Sequence, residues 1–219
     1  MLPPASRRHI LLITPFALLP STALVFGYAS QSLGSASGYL LGFAFYWLFW
    51  CLIFPLLVLG RREFSSLLKD QSPLFARPNW GPALLWIVIT VVTIFTYGGE
   101  FIDAAAGLIL LSIPLATING VCEEILWRGL YVRVFPKNLW LGILFPAIGF
   151  ALWHFAPAQV FYEGNTAAFI VSTFFLGLAY GFIAYRCGSA RWTAISHSIN
   201  GVLALSGMLA PSLVKLLSQ

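Results

Sequence analysis

The sequence predicts an all-α fold: a polytopic transmembrane helical bundle of about seven spans, with its N-terminus in the cytoplasm. Three observations carry that expectation. Of the 219 residues, 59% are hydrophobic and only 9% are charged, against about 25% charged in a soluble domain. That leaves too little polar surface to cover a water-soluble globule. The apolar runs are long and continuous rather than alternating with period two, which selects helices over a closed barrel. The basic residues, finally, fall on alternate loops.

The elements follow in order, each near the ~20 residues needed to cross ~30 Å of hydrocarbon. A first span over 10–29 follows Arg7, Arg8 and His9. These resemble the basic start of a signal peptide, but the spans that follow mark it as retained. A second span is expected over 38–60. Segment 61–80 holds Arg61, Arg62, Glu63, Lys69, Asp70, Pro73 and Pro78, and reads as an interfacial loop with a short amphipathic helix. Further spans are expected over 81–99, 104–127, 139–156, 166–186 and 192–210. Pro114 and Pro146 mark kinks within spans, and Pro136 ends the helix before it. Gly38-xxx-Gly42 and Gly177-xxx-Gly181 have the spacing that lets helices approach closely, with packing inside the chain as the plain reading.

Threaded alternately, these spans place Arg7, Arg8, Arg61, Arg62, Lys69, Arg77, Arg128, Arg133, Lys137, Arg186 and Arg191 on one side. Lys215 falls on the other, with Glu100, Asp103 and Glu163. The basic side is the cytoplasmic one. In a soluble protein the net charge of +5 would raise the question of nucleic acid. Here the cations sit in loops without interleaved aromatics, so topology explains them and no nucleic-acid partner is expected. Cys51, Cys122 and Cys187 are too scattered for a metal cluster and are expected to be free thiols. The whole chain, 1–219, reads as one membrane domain, with generic hydrophobic spans over 1–100 and the chemistry-bearing residues over 101–205.

Those residues begin with Asn119, Glu123, Glu124 and Arg128 in an apolar stretch. An ionisable group at membrane depth is costly unless paired or hydrated, and so points to function. At about 100° per residue, Glu124 and Arg128 share a helix face, while Glu123 points about 100° away. Arg128 can hold Glu124 as a carboxylate through its planar fork. Glu123 lacks a local cation and suits a general base. Asn119, one turn earlier on the same face, can hydrogen-bond it. The competing reading is a structural ion pair at the helix end, with Glu124 and Arg128 reaching to water. His154 and His197 lie in later spans, and Asn200 shares a face with His197. A lone histidine in a membrane helix is commonly an interhelical hydrogen-bonding group. Together, however, a base, imidazoles and an amide are the parts needed to activate water and hold an oxyanion. His-Glu-x-x-His, Gly-x-Ser-x-Gly and Walker patterns are absent from the sequence.

Glu123-Glu124-xxx-Arg128, then Phe150-xxx-His154, then His197 with a nearby asparagine, resembles the CAAX protease and bacteriocin-processing (Abi) family, related to CAAX prenyl protease 2. The resemblance implies an all-helical intramembrane endopeptidase. It acts on a membrane-anchored, prenylated or amphipathic peptide or protein, and its setting is the lipid bilayer of a bacterial inner membrane. Glu123 and His154 would activate water, His197 and Asn200 would stabilise the oxyanion, and Glu124 and Arg128 would hold the site together. The family pattern sets its asparagine four residues after the histidine, where this chain has Gly201; Asn200 comes one residue earlier. No cofactor is expected, although Glu123, His154 and His197 also make a possible three-ligand zinc set. Two non-proteolytic alternatives remain: a membrane immunity or partner-binding protein on the same scaffold, and a small transporter with a proton relay.

Depth sets a condition on the shared site. Straight spans with the predicted ends would separate Glu123 and His154 vertically by ~15 Å. Closure needs either a glutamate helix that runs deeper or a next span that begins later. Pro136 and Pro146 favour the second.

Overall fold

The computed structural model describes residues 2–160 and 165–209, and among them the regular structure is helical. Six helices are long and apolar enough to cross a membrane. They are α1 (Pro4–Leu33), α2 (Ser35–Leu59), α3 (Arg77–Asp103), α4 (Ala106–Val134), α5 (Trp140–Ala158) and α6 (Thr166–Cys187). A seventh segment forms α7 (Arg191–Ala204), which continues as a wider turn over Leu205–Leu209. Its hydrogen-bonding side chains set it apart from the six apolar helices. The protein is an integral membrane protein. Glu163, Lys215 and the last residue of the expected 192–210 span lie outside the described residues.

α1 and α2 form one antiparallel pair. A Cβ at Gly38 would run into Ser30, and one at Gly42 into the Phe26 ring, so both glycines allow this contact. Gly177 and Gly181 do the same for α6 against Ala147 and Ile143 of α5. α7 lies across α4 at Gly120, where an added Cβ would stand 2.8 Å from the Ser198 backbone nitrogen.

Several helices widen locally to π-type turns. Tyr46–Ile53 and Trp140–Leu144 each lead into a proline, Pro55 or Pro146, at the start of the next regular stretch. The proline ring clashes with the carbonyl four residues back, and the wider turn relieves that clash. Ile125–Leu130 widens without a proline, directly after the two glutamates.

The helix ends differ from expectation on one side. α4 runs to Val134, well past the expected end at 127, while α5 starts close to the expected 139. Arg128 therefore sits inside a helix rather than at its end. The stretch stays helical because its polar groups are partnered by the protein: Tyr131 Oη donates to Leu11 O at 2.9 Å, and Arg133 donates to Ser66 Oγ at 3.0 Å.

Before α3 begins at Arg77, the 61–80 segment holds a one-turn helix, Arg61–Phe64, followed by turns. It packs under the corner between α6 and α7. Ala190 N donates to Leu67 O and Gln71 N to Cys187 O, each at 2.9 Å. Asp70 accepts from Ser189 Oγ and from Trp192 Nε1, which fixes where α7 begins. Cys51, Cys122 and Cys187 are free and buried.

Candidate active site

α4 presents Glu123, Glu124 and Arg128 to the bundle interior, exposed by 0%, 0% and 1% respectively. A helix-end pair reaching to water is thereby excluded. Arg128 Nη1 stands 2.9 Å from Glu124 Oε1, an ion pair by distance whose angles fall short of a regular hydrogen bond. The Arg128 guanidinium also lies over the Phe150 ring, 4.1 Å from its centroid. A delocalised cation sits well on an aromatic face in a desolvated site.

His197 reaches both glutamates from α7. Its Nδ1 is 3.0 Å from Glu124 Oε1, and its Nε2 is 3.4 Å from Glu123 Oε2. Proton accounting makes this arrangement informative. Glu124 Oε1 already faces Arg128 and acts as an acceptor, so His197 Nδ1 carries a hydrogen. One further proton placed between His197 Nε2 and Glu123, which stand 3.4 Å apart without the geometry of a regular hydrogen bond, would neutralise the cluster. With it on Glu123, both groups are neutral; with it on His197, they form an ion pair. In both arrangements Glu123, Glu124, His197 and Arg128 sum to zero charge, which makes their joint burial tolerable.

Asn119 supports Glu123 from one turn back. Its Oδ1 accepts from Trp47 Nε1 of α2 at 2.9 Å, which leaves its NH2 as the end able to donate, although neither Glu123 oxygen has a hydrogen bond of regular geometry. The second span thus contributes to the site, contrary to its expected generic character. Tyr46 contributes too, since its hydroxyl accepts from Trp127 Nε1 at 2.8 Å and its ring stacks on Trp153 at 3.9 Å.

His154 ends the regular part of α5. Its Nδ1 is 2.8 Å from Phe150 O. A carbonyl only accepts, so Nδ1 carries the hydrogen and Nε2 is left as an acceptor in the neutral ring. Phe150 is the shared neighbour: its ring centroid lies 4.7 Å from that of His154 and 6.1 Å from that of His197. Among the described residues no hydrogen bond or ion pair joins His154 directly to Glu123 or His197.

Asn200 is engaged elsewhere. Its Nδ2 donates to Tyr180 Oη at 2.8 Å, Tyr180 donates to Ser196 Oγ at 3.0 Å, and Ser196 meets Thr90 Oγ1 at 3.3 Å. Thr90 donates to Trp86 O, so the chain has one direction, from Asn200 toward α3. Tyr180 also flanks His197 at 5.8 Å between ring centroids. Tyr180 and Trp47 carry no pattern in the sequence that points to a site; only the tertiary contacts find them.

Beside the α4–α7 crossing lies a cavity of ≈ 320 Å³ whose walls include Thr117, Val121, Ala194, Ile195 and Ile199. Leu68, Arg191 and Ser198 complete the lining, which includes none of Glu123, Glu124, His154 and His197. Among the described residues no three His, Cys, Asp or Glu side chains are arranged to hold a metal ion.

Comparison with known proteins gives one family match. Residues 105–203 match the family described as Type II CAAX prenyl endopeptidase Rce1-like. No curated protein matches the chain, and no solved structure does. The matched stretch contains Glu123, Glu124, Arg128, His154, His197 and Asn200, while Trp47 and Tyr46 lie outside it. Over residues 105–203, under half of its length, the chain is similar to the Rce1-like family of CAAX prenyl endopeptidases.

Proposed function

We propose that the protein hydrolyses a peptide bond of a membrane-anchored, prenylated or amphipathic peptide or protein, using water activated by Glu123. The observation that carries this reading is the 3.4 Å approach of His197 Nε2 to the buried Glu123 carboxylate, across which one proton could pass. A general base must accept a proton and return it without a large change in local charge. This pair does so because a neutral surround exists for either proton position.

The geometry supports the following steps. With the proton on His197, Glu123 is a carboxylate and takes a proton from water as the water oxygen attacks the scissile carbonyl carbon. The carbonyl π electrons move onto oxygen. Protonated Glu123 no longer holds His197 Nε2–H as an ion-pair partner, so that N–H can turn to the developing oxyanion. Asn200 has a second amide hydrogen free beyond its bond to Tyr180, which supports the same role. When the intermediate collapses, the C–N bond breaks and Glu123 returns its proton to the leaving amine. The free Nε2 acceptor of His154 supports a role in orienting the water. Glu124 and Arg128 act through His197, as positioning residues. The mechanism uses no metal.

The apolar cavity between α4 and α7 supports a substrate with a lipid chain or large apolar side chains. The N-terminal end of α1 belongs in the cytoplasm of a bacterial plasma membrane. In support, Arg7 pairs with Glu63 at 2.9 Å, Arg191 stands 3.8 Å from Asp70, Arg133 meets Ser66, and Arg186 meets Pro78, all on the 61–80 segment at one end of the bundle.

The test is purified protein in detergent, given a library of lipidated and amphipathic peptides, with products read by mass spectrometry. Defined cleavage of one substrate class is expected from wild type and not from Glu123→Gln. Equal cleavage by both would refute Glu123 as the base. An immunity or partner-binding function that survives Glu123→Gln would favour a non-catalytic role.

A further inference from the structure

The basic end of the bundle holds two kinds of cation. Arg7 is bidentate to Glu63, with Nη1 and Nη2 at 2.9 and 3.2 Å from its two oxygens. Arg133, Arg186 and Arg191 also have partners on the 61–80 segment. Arg8 and Lys137 have no anionic partner among the described residues. Both line one cavity of ≈ 440 Å³ between the start of α1 and the α4–α5 loop.

The other lining residues are Phe135, Pro136, Asn138 and Leu141, and none is acidic. Asn138 Oδ1 accepts from Leu141 N at 3.0 Å, so the free end of its amide is the NH2 donor. The cavity therefore offers two cations and an amide donor over an apolar floor. Just beyond it, Leu139 and Trp140 are 58% and 72% exposed. An exposed tryptophan at the start of a spanning helix belongs at the level of the lipid headgroups.

We propose that this cavity binds the phosphate-bearing headgroup of an anionic phospholipid. Arg8 and Lys137 meet the phosphate, Asn138 donates to a phosphate or glycerol oxygen, and Phe135 and Leu141 contact the start of the acyl chains. Basic pockets between helices on the cytoplasmic side are known hosts for such headgroups. A free phosphate ion would satisfy the cations but would leave the apolar floor and the exposed Trp140 without a partner. The lipid satisfies all of them. This site is separate from the glutamate cluster, and its test does not depend on catalysis.

The experiment is native mass spectrometry of the full-length protein, exchanged into an equimolar mixture of phosphatidylglycerol and phosphatidylcholine. Wild type is expected to retain the anionic lipid in preference. Arg8→Gln combined with Lys137→Gln should reduce that preference roughly tenfold or more, at ~1 kcal/mol per cation. Each single change should give a partial loss. Arg62→Gln, which removes an exposed cation of the same loop region outside the cavity, should leave the preference intact. Unchanged preference in the double variant, or an equal loss with Arg62→Gln, would overturn the proposal. Displacement of the lipid by excess inorganic phosphate would show that the site takes the free anion and would likewise overturn it.

Discussion

The α1–α2 pair and the α4–α7 pair use the same device to different ends. Both bring helices close at glycine, Gly38 and Gly42 in the first case and Gly120 in the second. Around α1–α2 the space is filled by aromatic rings: Phe26 meets Tyr39 at 6.1 Å and Phe43 at 5.4 Å between centroids. Around α4–α7 it is filled by two carboxylates, a guanidinium and an imidazole. The first contact shows that this chain can pack two membrane helices with no charged group between them. The charged cluster is thus not required for closeness. A buried ion pair is often no more stabilising than the apolar groups that could replace it, so its presence at α4–α7 supports the proposed chemistry.

Arg128→Met would break the comparison hardest. It leaves Glu124 buried without its cation, and a loss of about 3–5 kcal/mol is expected. Thermal unfolding in detergent should fall sharply and hydrolysis should vanish. Near-wild-type stability would show that the cluster is wetter than its burial implies.

Glycine substitution separates the two contacts. Overpacking typically costs about 1–3 kcal/mol, so Gly38→Val and Gly120→Val should both lower the melting temperature. Only Gly120→Val should lower kcat of the folded fraction, because it pushes Ser198 and hence His197 away from the glutamates. Gly99→Val, facing open space, serves as the reference. An activity loss in Gly38→Val as large as in Gly120→Val would erase the distinction between the pairs.

Smaller effects sharpen it. Trp47→Phe removes one hydrogen bond to Asn119, worth about 1 kcal/mol, and should reduce kcat about fivefold with KM little changed. Tyr180→Phe should cost about 1 kcal/mol of stability, read by denaturant or heat, with a mild loss of rate through Asn200. The smallest expected effect is that of exhaustive chelation, after which hydrolysis should persist. Activity lost on chelation and restored by zinc would replace the metal-free mechanism.

Much of this was legible in the sequence because it is local. Continuous apolar runs place the helices, and the i,i+4 rule pairs Glu124 with Arg128 before any tertiary contact is known. The end of α4 was not legible. Arg128 and Arg133 look like the start of a loop in hydropathy, and only their partners, Glu124, Phe150 and Ser66, make it possible to bury or anchor them within the helix. The link from His197 to both glutamates was not legible either. Residues 73 positions apart have no fixed spacing, and their meeting depends on Gly120 admitting α7. Trp47 and Tyr180 escaped for the same reason, as ordinary aromatics until a partner across the bundle gives them a role.

The most direct test compares two neighbouring residues, Glu123→Gln and Glu124→Gln, by hydrolysis and thermal unfolding on the same preparations. The expected result is a split. Glu123→Gln should lose about 10²–10⁴-fold in rate while melting at or near the wild-type temperature, because it takes a buried carboxylate out of the cluster without stranding Arg128. Glu124→Gln should melt clearly lower, because Arg128 and His197 lose their common acceptor. Full activity in Glu123→Gln, or wild-type stability in Glu124→Gln, would contradict the division between a chemical glutamate and a structural one.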